Sequence, residues 1–174
     1  MNTHHWDDWS LRGLTKAKGS TKVSLVVPAR NEAATVGDVV TRVREALVET
    51  VARLDEIVVI DSDSTDATYD VATDAGAVVH RSAEIRPDLG SVPGKGEAMW
   101  KSMFVTSGEI VVFMDADRSD DASEIPALLA PIQNDGYDLV IGSRTLGACS
   151  GARGIEERIE PSSSRSGAKA RAAS

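Results

Sequence analysis

Between Lys22 and Arg144 the apolar residues fall into short blocks that alternate between two spacings. Val23 to Val27 is an apolar run that stops at Pro28, as a buried parallel strand would. From Thr35 to about Leu54 the residues Val36, Val39, Val40, Val43, Leu47 and Val51 recur at helical spacing. Thr35 with Asp38 resembles a capping box in which Asp stands for Glu. Ile57 to Ile60 predicts a second strand ending at Asp61, and Asp66 to Ala75 a helix closed by Gly76. Ala77 to Val79 reads as a short strand, and Ser82 to Gly94 as a loop. Glu97 to Val105 reads as a helix and Ile110 to Met114 as a strand running into Asp115. Ser123 to Ile132 predicts a helix with Pro126 in its first turn, and Leu139 to Ile141 a fifth strand.

Strands separated by helices imply right-handed crossovers, hence an α/β fold: a mainly parallel sheet with helices on both faces. Ligands in such folds sit beyond the carboxyl ends of the strands. The polar clusters fall at those ends, at Pro28–Glu32, Asp61–Asp66 and Asp115–Asp117.

The flanks differ. Residues 1–21 read as a polar N-terminal arm anchored by Trp6 and Trp9. Residues 148–174 are rich in Ser, Ala, Gly and Arg, hold five basic and three acidic residues, and lack apolar periodicity. Such a segment is expected to be a disordered tail.

Composition narrows the function. The chain has 174 residues, 41% of them hydrophobic and only 4% aromatic, so Val, Ile, Leu and Ala must build the core. A net charge of −8 argues against a general nucleic-acid binder. A phosphorylated ligand then requires a metal ion or a few well-placed cations. Cys149 is the single cysteine, which excludes an intrachain disulfide and a Cys-cluster zinc site. No apolar run approaches the roughly 20 residues of a membrane span. With no leader-like N-terminus either, a cytoplasmic location is expected.

Four clusters carry candidate chemistry. Asp115-Ala116-Asp117 follows a buried strand, which holds carboxylates rigidly and within reach. Mg²⁺ or Mn²⁺ is typically bound by one or two carboxylates plus substrate phosphates. Asp120 and Asp121 suit the start of the following helix, where negative charge meets the dipole. In Asp61-Ser62-Asp63-Ser64-Thr65-Asp66 the acceptors and hydroxyls exceed what one helix cap needs, so Asp61 and Ser62, nearest the strand end, are candidate ligand contacts. Pro93-Gly94-Lys95-Gly96-Glu97-Ala98 places one mobile cation between two glycines at a helix start, which suits a phosphate as well as it suits a plain turn. In Pro28-Ala29-Arg30-Asn31-Glu32, Asn31 and Glu32 can read the edge of a base, or cap the next helix. His4, His5 and His80 have no metal-ligand spacing.

Taken in order, Val26-Val27-Pro28-Ala29-Arg30-Asn31-Glu32, Val59 to Asp66, Gly94-Lys95-Gly96-Glu97-Ala98 and Phe113-Met114-Asp115-Ala116-Asp117 resemble the GT-A glycosyltransferases of the family-2 type. More narrowly, Pro93 to Trp100 and the Trp-bearing arm are similar to the glucosyl-3-phosphoglycerate synthase group. The resemblance implies a Rossmann-like nucleotide-binding half of a GT-A fold over residues 22–147, incomplete because the acceptor-binding half has no counterpart. It implies that Pro28, Ala29, Asn31, Glu32, Asp61, Ser62, Lys95, Asp115 and Ala116 contact a nucleotide sugar. Asp117 and Asp115 would bind Mg²⁺ or Mn²⁺, with Asp117 the direct ligand. The implied reaction moves glucose from UDP-glucose to 3-phosphoglycerate, a small phosphorylated acceptor. Two alternatives stay open. Asp138 to Arg144 resembles the dolichyl-phosphate mannosyltransferases, which suggests a polyprenyl-phosphate acceptor. The missing half suggests a nucleotide-binding module without transfer activity. An open sheet edge leaves room for a homodimer.

Overall fold

A computed structural model of the chain describes residues 3–5, 19–49, 54–92, 94–143, 154–156 and 170–173. The strands are β1 (Thr3–His5), β2 (Val23–Ala29), β3 (Glu56–Asp61), β4 (Val78–Arg81), β5 (Ile110–Phe113), β6 (Leu139–Ser143), β7 (Gly154–Glu156) and β8 (Ala170–Ala173). The α-helices are α1 (Val36–Val43), α2 (Thr68–Asp74), α3 (Lys95–Ser102) and α4 (Ile125–Ala130).

All these strands lie in one sheet of order β1-β7-β6-β8-β5-β2-β3-β4. Every pairing from β6 through β8, β5, β2 and β3 to β4 is parallel, and only β7 pairs antiparallel, with β6 and β1. The sheet is covered on both faces, as the alternation of strand and helix predicted. Along β2, Val23, Leu25, Val27 and Ala29 enter one apolar cluster with Val36, Val40, Ala72 and Leu129 of the helices. Val26 faces the opposite way, into a second cluster with Val58, Ile60, Val111, Phe113 and Ala98 of α3. This two-residue period is what a buried strand must show when both faces are packed.

Several boundaries differ from the sequence expectation. β2 does not stop before Pro28 but runs on to Ala29, which pairs with Asp61. Along β2, Val26 bonds toward β5 and Ala29 toward the β3 side, where it accepts from the Ser62 N–H. Pro28 shares the phase of Val26, so its missing N–H faces β5. That pairing already ends at Val26–Phe113, so no ladder bond is lost. The helix expected over 35–54 is α-helical to Val43 and π-helical over Arg44–Glu49, a wider winding that still buries Leu47. The expected core residue Val51 lies outside the described residues.

Within 148–174, expected to be a disordered tail, the described residues Gly154–Glu156 and Ala170–Ala173 are strands of the sheet. β8 lies between β5 and β6 and pairs with both. Backbone pairing, which leaves no trace in apolar periodicity, satisfies the polar edge that β5 would otherwise present. The rest of that tail lies outside the described residues, as do Trp6 and Trp9. No helix among the described residues is long and apolar enough to cross a membrane.

Candidate functional site

The carboxyl ends of β2, β3 and β5 and the start of α3 converge on one cleft of about 260 Å³. Pro28, Ala29, Arg30, Glu32, Ser62, Gly94, Lys95, Asp115, Ala116 and Asp117 line it. Of the residues expected from sequence, Pro28, Ala29, Glu32, Ser62, Lys95, Asp115, Ala116 and Asp117 are thus brought together.

Asn31 and Asp61 are not among the lining residues, and the structure gives them another task. Asn31 has φ +56°, the left-handed region that Asn tolerates better than most residues. Its N–H donates to Ser64 Oγ at 2.9 Å, and its Oδ1 accepts from the Thr65 N–H at 2.8 Å and from Thr65 Oγ1 at 3.3 Å. Asp61 is buried, and its Oδ1 accepts from the Ser64 N–H at 3.1 Å. The lacing continues beyond them. The Glu32 N–H donates to Thr68 Oγ1 at 2.8 Å and the Ala33 N–H to Asp66 Oδ2 at 3.2 Å, while Asp66 Oδ1 accepts from Thr68 N–H at 3.0 Å. The Thr68 hydroxyl donates to Asp66 as well, and chiefly this bond holds the Asp66 carboxyl below the usual carboxylate range. Two loops from different strands therefore form one bonded wall of the cleft. Arg30 also lines the cleft, although no signal in its neighbours marks it as a lining residue in the sequence.

The opposite wall carries the charge. Lys95, the first residue of α3, extends across the cleft and its ammonium pairs with the Asp115 carboxylate. Lys95 is 51% exposed and Asp115 23%. The turn after β5 is self-bonded. The Asp115 N–H donates to Asp120 Oδ2 at 3.0 Å, and Asp117 Oδ1 accepts from the Ser119 N–H at 2.9 Å. Asp120 and Asp121 lie at the start of the next helical turn, as expected, where Asp121 accepts from the Ser123 N–H, and Asp120 also bonds back to the turn after β5. Arg118 is left-handed at φ +64° and its guanidinium pairs with Asp38, tying the turn to α1.

Two carboxylates with a cation already against one of them fit a hard divalent ion. Among the described residues no group of three or more His, Cys, Asp or Glu side chains is placed to hold a metal. Asp115 and Asp117 would therefore hold Mg²⁺ or Mn²⁺ with phosphate oxygens completing the shell, the arrangement Mg²⁺ usually adopts.

Residues 24–165 match the model of the family described as glycosyl transferase family 2. The chain is 42% identical over 147 residues to glucosyl-3-phosphoglycerate synthase of Mycolicibacterium smegmatis, covering 82% of this chain and 47% of that protein. Its fold is similar to a crystal structure of mannosyl-3-phosphoglycerate synthase from Rubrobacter xylanophilus, with TM-score 0.72 and 33% identity, over 79% of this chain and 45% of that one. It is also similar to glucosyl-3-phosphoglycerate synthase from Mycobacterium tuberculosis in complex with Mn²⁺, UDP and phosphoglyceric acid. There the TM-score is 0.68 and the identity 35%, over 76% of this chain and 46% of that one. The chain spans about half the length of the relatives it matches. With a strand-end cleft, a paired-carboxylate turn and this match over most of its length, the chain belongs to glycosyl transferase family 2 and has the nucleotide-binding α/β fold of the GT-A enzymes.

Proposed function

We propose that residues 22–147 form a nucleotide-sugar site and that the protein is a metal-dependent hexosyltransferase, moving glucose from UDP-glucose to 3-phosphoglycerate. The observation that carries this reading is the convergence of Asp115, Asp117, Lys95, Ser62, Ala29 and Glu32 from four chain segments on one cleft. The names of the relatives support the donor, the acceptor and the ion.

Each residue has a task in this reading. Ala29 and Glu32 meet the uracil edge, and Ser62 supplies a hydroxyl to the nucleotide. The Lys95 ammonium leaves Asp115 for the diphosphate, as a point charge suits phosphate. Asp115 and Asp117 hold the divalent cation, which offsets the charge that develops on the departing diphosphate. Asn31 and Asp61 act through the wall they bond together. A second copy pairing along β4, whose Val78 is 52% exposed, is the homodimer this reading includes, and sedimentation velocity decides it.

A donor screen with UDP-glucose and GDP-mannose, with Mn²⁺, tests the function. Its arms contain 3-phosphoglycerate, a polyprenyl phosphate, or no acceptor. Glucose transfer to 3-phosphoglycerate is expected, and transfer only to the lipid phosphate moves the assignment to the lipid-acceptor class. A second reading is a module that binds UDP without transfer, since the residues gathered in the cleft are all ones assigned to the nucleotide sugar or its metal ion, apart from Arg30 and Gly94. UDP binding with no product in any arm selects it. Absence of heat with millimolar UDP and Mn²⁺ in a calorimeter rejects both.

A further inference from the structure

α3 inverts the ordinary rule of burial. Trp100 is 42% exposed, whereas the next residue, Lys101, is fully buried and ranks among the largest side chains closed to solvent. An ammonium removed from water is unfavourable unless it is paired and hydrogen-bonded. Here Lys101 Nζ donates to the Ser82 carbonyl at 2.8 Å and lies 3.3 Å from Glu97 Oε1, one helical turn away. The same Glu97 oxygen accepts from the Val92 N–H at 3.3 Å. Two side chains thus join three segments: the turn after β4, the end of the following loop, and α3.

That junction lies directly behind the cation-bearing wall. Gly94 and Lys95 line the cleft, but Lys101 and Glu97 do not. The turn itself has little packing to fix it. Gly94 has φ +142°, and a Cβ placed on Gly94 or Gly96 would meet no heavy atom within 4 Å. Apolar side chains of similar volume could fill the Lys101 and Glu97 positions together without a buried charge, and such replacements of a whole pair are often neutral or stabilising. What the ion pair adds is one defined geometry between helix, loop and strand end.

We propose that Lys101 and Glu97 are positioning residues of the nucleotide site. Their pair, fully buried at Lys101 and partly buried at Glu97, holds Val92 on one side and the start of α3 on the other, so that the Lys95 ammonium faces Asp115. The proposal rests on the nucleotide-site reading above and adds residues that never touch the ligand.

The test is calorimetric titration of the full chain with UDP at saturating Mn²⁺, beside paramagnetic resonance of Mn²⁺ alone. In Lys101→Met the UDP dissociation constant is expected to rise at least tenfold. The circular dichroism spectrum is retained, and Mn²⁺ alone binds no more weakly, because Asp115 and Asp117 sit on the turn after β5, which neither residue of the pair touches. That split separates lost positioning from general loosening, which would weaken both ligands together. Glu97→Gln keeps the size and the acceptor for Val92. It is expected to raise the constant at least threefold and decides the matter if Lys101→Met does not fold. A folded variant whose UDP affinity stays within twofold of the unaltered chain overturns the proposal, as does parallel loss of UDP and Mn²⁺ affinity. An unaltered chain that binds no UDP brings down the nucleotide-site reading first, before any variant is compared.

Discussion

Lys95 and Asp115 set how the cleft holds its charge. Each neutralises the other across the gap, so a divalent ion must displace an ammonium to reach Asp115. The pair is partly exposed and worth on the order of 0.5–1 kcal/mol. Lys95→Met is therefore expected to tighten Mn²⁺ binding about three- to fivefold in the absence of nucleotide. The same change weakens UDP binding about tenfold or more, because a charged hydrogen bond contributes about 1.5–3 kcal/mol. Paramagnetic resonance of Mn²⁺ and calorimetry with UDP read the two opposite shifts, and equal signs would show that Lys95 does not exchange partners. At this scale the sequence was most legible where a residue's chemistry and its place agreed. Asp115 and Asp117 were found because carboxylates follow an apolar strand. For Asn31 and Asp61 the sequence suggests ligand contacts, and it does not show their bonds to loop backbone, because a polar side chain looks the same whether it meets a base or a backbone. The positive φ of Asn31, a conformation Asn accepts and most residues resist, is a constraint that no periodicity reveals.

The elements are clipped together at the end of the sheet remote from the cleft. Glu56 opens β3, and its Oε1 accepts from Ser24 Oγ of β2 at 2.5 Å and from the Ser107 N–H at 2.6 Å; Ser24 Oγ accepts from the Gly108 N–H at 2.8 Å. Burial raises the Glu56 pKa, but hydrogen bonds from Ser24, Ser107 and Gly108 outweigh it and leave the carboxyl below its ordinary 4.5. A folded value below the unfolded one contributes stability above pH 4.5 that is lost as pH falls through the folded value. Urea unfolding between pH 6 and 3 should show a loss of stability on acidification that is smaller in Glu56→Gln. An identical slope in both would remove Glu56 from the acid response. Gly108 is required in the same clip, since a Cβ there would lie 2.3 Å from Ser24 Oγ and 2.6 Å from Ser24 N. Gly108→Ala is expected to cost about 1–3 kcal/mol and lower Tm by roughly 4–10 °C, measured by calorimetry. Strands β2, β3 and β5 were legible because both their faces are buried and the runs are unbroken. Helix ends were less so. α3 begins at Lys95, two residues before the apolar spacing starts, because Gly94 takes a backbone angle that lets the turn close early. β8 was invisible, since small residues held by backbone pairing carry no pattern.

Across the whole molecule, the proposed function asks an acidic chain of net charge −8 to admit an anionic nucleotide to its cleft. One cleft cation, Lys95, is already paired, so a bound divalent ion supplies the attraction that long-range charge withholds. Chelation with EDTA is expected to weaken UDP binding at least about tenfold, and added Mg²⁺ or Mn²⁺ restores it. Metal-independent binding by equilibrium dialysis would show that the carboxylate pair serves another purpose. The doubly covered sheet and the strand-end cleft were legible because alternation of element types dictates both. What lies on the far side of the cleft was not, because the matched relatives extend well beyond the region this chain shares with them.

The bonded wall formed by residues 28–32 and 61–68 also governs how a ligand leaves. Its loops are fixed to each other through Asn31, Asp66 and Thr68, and Asp61 braces the second loop from within. Arrival of a nucleotide therefore orders little on that side, and the entropy lost on binding comes mainly from the Gly94–Lys95 turn. Departure follows the same asymmetry. On the proposed reading one face would stay in place as a fixed jaw, and residence time would be set at the opposite face, where Lys95 parts from the phosphate and returns to Asp115.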